Sequence, residues 1–191
     1  MRLSLSLLLP VSLLALEPLP IAWKNLGPGG GGWVQTLLAS RHDGRTVHIG
    51  GDVGGYYLSR DGGTSYATFN QGLEDYYVEC ITEHPKSPAI LYLGCQYGVY
   101  RSDDAGKAWR RLGTGFPEAS GGKFSAPIGA LSIDDGNPEV LYAGIGKPRQ
   151  RSGGLGAVYR TSNGGATWAR VNAEGSLPPD ACVTALQVDP V

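Results

Sequence analysis

The chain contains an internal repeat, and this repeat limits the folds open to it. Segments that begin at Val47, Ile90 and Val140 align with one another, the first two without a gap and the third with an insertion in its middle. Each is preceded by a short apolar segment: WVQTLLAS, YVECITEH and IGALSIDD. A further segment of this kind, CVTALQVDP, begins at Cys182. Self-similarity of this sort is typical of proteins built as a row of equivalent structural units.

Each unit predicts four short antiparallel strands. Runs rich in Val, Ile, Leu and Tyr are bounded by Gly, Pro, Asn and Asp, and the turns RHDGR, HPKSP and DDGNP join the first strand to the second. Four strands in each repeat of about 40 to 60 residues indicate the blades of a β-propeller. We therefore predict an all-β fold, an incomplete β-propeller over residues 23–191. Its blades lie at roughly 30–72, 76–115 and 127–173, with the first strand of a fourth at 181–191.

A closed propeller has about four to eight blades, so three do not close a ring. Two explanations remain open at this point. The chain is truncated, which we favour, or a second copy completes the ring.

The first 22 residues predict a secretory signal peptide. Arg2 precedes an apolar run from Leu3 to Leu16, and Ala22 supplies a small residue after it. Pro10 interrupts this run, which is short for a membrane span. We expect the protein to be secreted, periplasmic or at the cell surface, with no membrane span after signal cleavage. An uncleaved N-terminal anchor is the alternative.

Charge and cysteine content give no sign of nucleic-acid, metal or cofactor chemistry. The 16 Lys and Arg nearly balance the 17 Asp and Glu, so the net charge gives no reason to expect a nucleic-acid or anionic-membrane partner. No Cys/His cluster has zinc spacing, and we expect no metal and no cofactor. Cys80 and Cys95 lie on neighbouring predicted strands and form either a cross-strand disulfide or, as we favour, buried free thiols. We interpret the scattered His42, His48 and His84 as surface or turn residues.

One polar pattern follows the third predicted strand of every unit. It resembles the Asp-box, Ser/Thr-x-Asp-x-Gly-x-Thr-Trp, of many β-propellers. The Asp or Asn oxygen can accept bonds from N–H groups of its own turn, and the Gly can adopt a positive φ. Because every unit has it, we interpret the pattern as structural, and calcium binding or catalysis as the less favoured alternative. Its residues are Ser59, Asp61, Gly63 and Tyr66; Ser102, Asp104, Gly106 and Trp109; and Thr161, Asn163, Gly165 and Trp168.

Asp52, in the stretch GGDVGG, has no acidic counterpart in the other units. The gapless alignment places Cys95 opposite it. Since the repeated scaffold does not require an acid there, Asp52 is the candidate catalytic residue. The stretches GGGGWVQTLLAS and VHIGGDVGGYYLSRDGG resemble the opening blade of the family 74 glycoside hydrolases, the endo-xyloglucanases, over about residues 23–110.

This resemblance implies a secreted propeller that acts on a β-glucan polysaccharide. It implies that Asp52 is one of two catalytic carboxylates of an inverting mechanism, the base. In the family the second carboxylate comes from a second propeller, which this chain does not hold, so we expect no activity from the chain alone. We interpret Asp134 and Asp135 as turn residues rather than as that second carboxylate.

Aromatic side chains near Asp52 are candidates to stack on sugar rings. These candidates are Trp33, Tyr56, Tyr76 and Tyr77. For Trp33 and Tyr56, packing between blades is an equal alternative. The basic insertion from Gly146 to Ala157 is interpreted as a solvated loop tip rather than an anion site.

A non-catalytic binding or scaffolding propeller is the second functional hypothesis. Sortilin-type receptors and photosystem assembly factors carry similar blades, and in such a protein Asp52 would cap its hairpin. A sialidase is less favoured, because no arginine triad with a nucleophilic tyrosine is evident.

Overall fold

The computed structural model describes residues 32–117, 126–146, 156–178 and 181–189. The predicted signal peptide and residues 147–155 of the insertion lie outside the described residues. Within those ranges the regular structure consists of strands: β1 (Val34–Ala39), β2 (Val47–Gly51), β3 (Tyr56–Ser59), β4 (Ala67–Thr68), β5 (Val78–Glu83), β6 (Leu91–Cys95), β7 (Gly98–Ser102), β8 (Arg110–Leu112), β9 (Ile128–Ile133), β10 (Leu141–Ile145), β11 (Ala157–Thr161) and β12 (Ala169–Arg170).

The strands form three four-stranded antiparallel sheets, which confirms the predicted all-β fold with three four-stranded blades. The first sheet contains β1 to β4, the second β5 to β8 and the third β9 to β12, each in chain order. Every residue of β6 is buried, because the second sheet is covered on both faces by its neighbours. Residues 181–189 have no assigned strand, but they lie along the third sheet. There the Val183 N–H donates to Ile145 O (3.4 Å) and the Val188 N–H to Ser132 Oγ (3.0 Å).

The gapless alignment of the first two repeats is wrong by one residue across the second strand. Val47 pairs with Ser59, whereas Leu91 pairs with Ser102. The β2–β3 connection is therefore one residue longer than the β6–β7 connection. Asp52 follows the last residue of β2 and corresponds to Gln96, not to Cys95. The Gly50–Gly51 pair concealed the extra residue, since either of these glycines can be matched to the single Gly94.

Each Asp-box closes its turn on itself. In the second sheet Ser102 Oγ donates to Asp104 Oδ1 (2.7 Å) and accepts from the Gly106 N–H (2.8 Å). Asp104 Oδ1 also accepts from the N–H groups of Lys107 and Ala108, both at 3.0 Å. These bonds satisfy backbone donors that a tight turn would otherwise leave without partners.

The other two boxes repeat this geometry. In the first, Ser65 donates from both its hydroxyl and its N–H to Asp61, and these bonds hold the pKa of Asp61 at about 2. In the third, Asn163 Oδ1 accepts from the Thr167 N–H at 3.0 Å. A neutral amide thus makes the same bond as the carboxylates, so the box needs the oxygen acceptor rather than the charge.

Neighbouring sheets approach closely at a glycine in the second strand of each sheet. A Cβ added at Gly50 would lie 2.6 Å from Val78 Cγ1, and one at Gly94 would lie 2.8 Å from Ile128 Cγ2. At Gly144 it would lie 2.6 Å from Val183 Cβ. The same position of each unit therefore has to lack a side chain, so that the segment that follows can pack against it.

The Asp-box tryptophans bind the preceding sheet. Trp109 donates its backbone N–H to Gln71 O and its indole N–H to Phe69 O, both at 2.9 Å. The Trp168 N–H donates to Thr114 O at 2.9 Å. The box aromatic therefore joins one blade to the loop that leaves the blade before it.

Two hydrophobic clusters fill the spaces between the sheets. The cluster between the first and second sheets includes Tyr56, Leu58, Val78, Leu93, Cys95 and Trp109, and that between the second and third includes Val99, Leu112, Ile128, Leu141, Tyr159 and Trp168. Cys80 packs on the second cluster and Cys95 lies in the first, so the two thiols point to opposite faces of the second sheet and are free. Among the described residues, no helix is long and apolar enough to span a membrane.

His48 is buried between the first two sheets, and its interpretation as a surface or turn residue is wrong. The residue is 2% exposed, and its Nδ1 is hydrogen-bonded to Tyr56 Oη at 2.6 Å. Nε2 lies 4.0 Å from Glu83 Oε1. Glu83 is buried as well and accepts from Ser40 Oγ (2.7 Å) and from the Arg41 N–H (2.9 Å). The equivalent position holds a tyrosine in the other two sheets, Tyr92 and Tyr142, so this polar network is particular to the first junction.

The Asp-box acceptor can be tested in the second sheet. Asp104→Ala removes the oxygen that accepts three bonds, and we expect it to lower the free energy of unfolding by about 1–2 kcal/mol. Asp104→Asn keeps the acceptor, as Asn163 does, and should cost no more than about 0.5 kcal/mol. Urea denaturation of both variants measures the difference. If the two variants lost the same free energy of unfolding, the charge of Asp104 rather than its acceptor oxygen would stabilise the turn.

The close approach of the sheets predicts a large cost for Gly94→Ala. The new methyl group would meet Ile128 O at 3.0 Å, a backbone atom that cannot move without shifting β9. We expect a loss of about 1–3 kcal/mol in urea denaturation. Gly44→Ala is the control, because nothing lies within 4 Å of its added Cβ. A loss no greater than that of the control would contradict the packing requirement.

His48 should make stability depend on pH. Burial lowers the pKa of His48 below its ordinary value of 6.5, and Glu83 opposes this only in part; Arg60 lowers the pKa further and Asp43 raises it. The unfolded chain therefore takes up this proton at a higher pH than the folded chain. The stability that neutral His48 contributes is fully present above about pH 6.5, and it is lost as the pH falls below that value. We expect Tm to fall between about pH 6.5 and pH 5, and to fall less in His48→Asn. If Tm fell equally with pH in the wild type and in His48→Asn, the pH dependence would not come from His48.

Candidate functional site

Asp52 lies at the end of the sheets where β1 and β5 begin and β2 ends. Its Oδ1 accepts from the Trp33 N–H at 2.8 Å, and its own N–H donates to Trp33 O at 3.1 Å. Gly32 has a φ of 92°, and a Cβ there would overlap the Asp52 carboxylate. Gly32 therefore leaves room for this side chain. Among the described residues, Asp52 Oδ2 accepts no hydrogen bond.

The turn that carries Asp52 is fixed from several sides. The Gly51 N–H donates to Gly55 O at 2.9 Å and closes the turn. The Gly55 N–H donates to Tyr76 O at 3.0 Å, which ties the turn to the segment ahead of β5. Asn70, which follows β4, accepts from the Tyr56 N–H and donates to Gly54 O. The carboxylate is thus presented by a closed turn held by three neighbouring segments.

The structure brings three of the four candidate sugar-stacking residues to this turn and buries the fourth. Trp33 is 63% exposed and Tyr76 is 50% exposed. Tyr77 is half-buried, with its hydroxyl 3.5 Å from Gln35 Nε2. Tyr56 is fully buried, with Trp109 packed edge-to-face on its ring at 4.9 Å, so its face is not open to a sugar. For Tyr56 the packing alternative is the one that the structure shows, and Trp33 lies on the surface.

Three other acidic side chains, Asp75, Asp134 and Asp135, are bound to backbone N–H groups or to an arginine. Asp75, on the segment between the first two sheets, accepts from the Tyr77 N–H (2.9 Å) and the Gln96 N–H (2.7 Å). Asp134 accepts from two N–H groups of the β9–β10 turn, and Asp135 pairs with Arg41 at 2.8 Å. Asp134 and Asp135 follow β9, at the opposite end of the sheets from Asp52. Neither is placed to act with it.

Trp33 and Tyr76 are exposed on either side of the Asp52 turn, and we call the surface formed by these three residues the rim. A cavity of about 170 Å³ lies at the opposite end of the sheets, lined by Arg41, Ser132, Asp134, Asp135 and Gln187 among others. Among the described residues, no group of three or more His, Cys, Asp or Glu side chains is arranged to hold a metal ion. The chemistry that the rim can support is that of one carboxylate beside two exposed aromatic rings.

Sequence reasoning missed Asn70 and Gly32. A signal for Asn70 was present, because Asn172 occupies the same position after the last strand of the third sheet and also accepts a backbone N–H, from Val158 at 2.8 Å. Gly32 belongs to a run of four glycines, and nothing in the run itself shows which of them adjoins a carboxylate.

The chain is similar to known xyloglucanases over most of its length. It is 32% identical over 150 residues to an oligoxyloglucan-reducing end-specific xyloglucanase of Emericella nidulans, and this alignment covers 74% of the chain and 17% of that enzyme. The chain thus spans less than a fifth of that relative's length. No family model matches the chain.

Solved structures give the same fold. An ancestral GH74 enzyme superposes with a TM-score of 0.65 at 22% identity, over 84% of this chain and 21% of the enzyme. YCF48 from Cyanidioschyzon merolae superposes with a TM-score of 0.52 at 20% identity, over 78% of this chain and 40% of that protein. The three sheets therefore match part of a GH74 propeller and also resemble YCF48 blades. We conclude that this chain is a distant homologue of the family 74 xyloglucanases.

Proposed function

We propose that this chain is the part of a secreted xyloglucan-active propeller that supplies one carboxylate, Asp52, and an aromatic rim to the sugar-binding face. The observation that carries the proposal is the extra residue in the β2–β3 turn. It presents Asp52 between exposed Trp33 and the Tyr76 segment, whereas the second sheet has Gln96 and a shorter turn. The homology to xyloglucanases supports an oligoxyloglucan ligand.

The chemistry follows from what one carboxylate can do. Cleavage with inversion needs one carboxylic acid to protonate the leaving oxygen and one carboxylate to activate water on the opposite face of the sugar. Asp52 keeps Oδ1 oriented through the Trp33 N–H and has Oδ2 for a water molecule. It can therefore serve as the base. In this proposal the acid comes from another part of the whole protein, so the chain alone binds glucan without cleaving it.

Exposed aromatic rings supply the binding energy in this proposal. The apolar face of a pyranose can cover the Trp33 ring, and burial of that surface is favourable. Tyr76 offers a second exposed ring across the Asp52 turn. Export through the predicted signal peptide would place this rim where polysaccharide is present.

Calorimetric titration of the chain with xyloglucan oligosaccharides tests the rim. We expect Trp33→Ala and Tyr76→Ala each to weaken binding by about tenfold, through lost contact with the sugar. Val171→Ala is the control, because Val171 is 50% exposed but follows β12, on another sheet. Asp52→Asn should bind nearly as well as the wild type, since its amide oxygen still accepts from the Trp33 N–H.

Hydrolysis by the whole protein tests the carboxylate. Asp52→Asn should lower the release of reducing ends about 100-fold or more, and Asp135→Asn should leave it unchanged. If the wild-type chain bound no oligoxyloglucan and Asp52→Asn cleaved normally in the whole protein, the proposal would be wrong.

The second candidate function is that of a non-catalytic binding or scaffolding propeller. One contact favours it: the bond from the Trp33 N–H to Asp52 Oδ1 accounts for an acid in this turn without any chemistry. In that case the loss of stability in Asp52→Ala would be its whole effect, and the wild-type chain would show no affinity for glucan.

A further inference from the structure

Asn70 makes a pair of bonds to the Asp52 turn that the proposed function does not use. Its Oδ1 accepts from the Tyr56 N–H at 2.8 Å, and its Nδ2 donates to Gly54 O at 2.9 Å. The two bonds lie on either side of Gly55, which has a φ of 77°. A Cβ at Gly55 would lie 2.7 Å from Asn70 Nδ2, so the amide is packed directly against the turn.

Comparison of the three sheets shows that this pair of bonds is not a general need of the fold. The position that follows the last strand is Asn70 in the first sheet, Gly113 in the second and Asn172 in the third. The second sheet, with its shorter turn, has no side chain there. Asn172 repeats the bond to the backbone N–H, but its Nδ2 bonds Ser176 Oγ and Ala173 O instead of the turn. Among the described residues, the amide-to-turn bond that Asn70 makes to Gly54 O is therefore found only at the turn that carries Asp52.

The restraint reaches Asp52 through a short series of contacts. Asn70 fixes the Gly54–Gly55 end of the turn. The Gly51 N–H bonds Gly55 O, so the position of Gly55 sets that of Gly51, the residue next to Asp52. Asp52 then meets Trp33 through two hydrogen bonds, at 2.8 and 3.1 Å. If the turn opens at Gly55, the geometry of both bonds to Trp33 is lost.

We propose that Asn70 is a positioning residue for the Asp52 carboxylate. It acts through the backbone of the turn and does not touch the ligand. Its importance for glucan chemistry rests on the proposed function of Asp52, whereas the positioning itself can be measured without any sugar.

The test compares Asn70→Gly with Asn172→Gly in the full chain. Each variant places at its site the glycine that the second sheet has naturally at Gly113, and each removes an amide that binds a backbone N–H. NMR spectroscopy follows the Trp33 amide by hydrogen exchange and the Asp52 carboxyl by its ¹³C chemical shift. In Asn70→Gly we expect Trp33 amide exchange to rise about tenfold and the Asp52 carboxyl resonance to move. Asn172→Gly should change neither, even if it lowers Tm equally.

A second variant covers the case in which Asn70→Gly does not fold. Asn70→Asp keeps the acceptor for the Tyr56 N–H but sets a carboxylate oxygen against Gly54 O in place of the donor, so it should change the same two signals. If the folded Asn70 variants left both signals unchanged, or if Asn172→Gly changed them as much, Asn70 would not position Asp52.

Titration with oligoxyloglucan separates this inference from the proposed function. If the wild type binds, Asn70→Gly should show a severalfold lower affinity, because the Trp33 side of the rim moves with the turn, and Asn172→Gly should bind normally. If the wild type does not bind, the proposed function fails, while the exchange and chemical-shift comparison still decides the role of Asn70.

Discussion

The close approach of successive sheets at one glycine per blade is the constraint on which the rest of the structure depends. With no side chain at Gly50 or Gly94, the first strand of the next sheet lies directly against the second strand of the previous one. That contact fixes how far apart the blades lie, and so fixes where the Asp-box tryptophan of one blade meets the exit loop of the blade before it. It also explains why the central strands are buried on both faces. Each blade contributes a surface that only another blade of the same kind can cover.

Within this strict frame the two junctions differ in chemistry. Between the second and third sheets, the hydroxyl of Tyr92 bonds Gly164 O in the next Asp-box. Between the first and second, the equivalent residue is His48, bonded to Tyr56 and lying near the buried Glu83 carboxylate. A buried acid near a buried imidazole is costly unless other bonds compensate. Here Ser40 and the Arg41 N–H supply such bonds from the end of β1. Both junctions are packed with apolar side chains. The first also contains a buried imidazole and carboxylate, whereas the equivalent tyrosine of the second makes a neutral hydrogen bond to the next blade.

The sequence alone predicted the repeated elements well, because each appears three times. Strand alternation, turn residues and the Asp-box recur, and their coincidence predicts four-stranded blades. Features that occur once were harder to predict. The extra residue in the Asp52 turn shifted the alignment, because strand pairing rather than residue identity sets the true register. His48 was misplaced because the buried carboxylate near it, Glu83, is 35 residues away in sequence. For Tyr56 the sequence left sugar stacking and packing between blades as equal alternatives, because the ring that covers it, Trp109, belongs to the next blade.

The Asp52 turn shows how a repeated scaffold can carry a feature that occurs in one blade. Strand residues of the second sheet have little freedom, since both of its faces meet other sheets. A turn at the end of the sheets can gain a residue without disturbing any ladder, provided its backbone groups find partners. The bonds to Asn70, Tyr76 and Trp33 supply those partners. Asp52 Oδ1 accepts the bond from the Trp33 N–H, while the carboxylate stays at the rim. Capping and chemistry are therefore compatible, because the bond that orients Oδ1 is what would hold Oδ2 in a defined position toward a bound sugar.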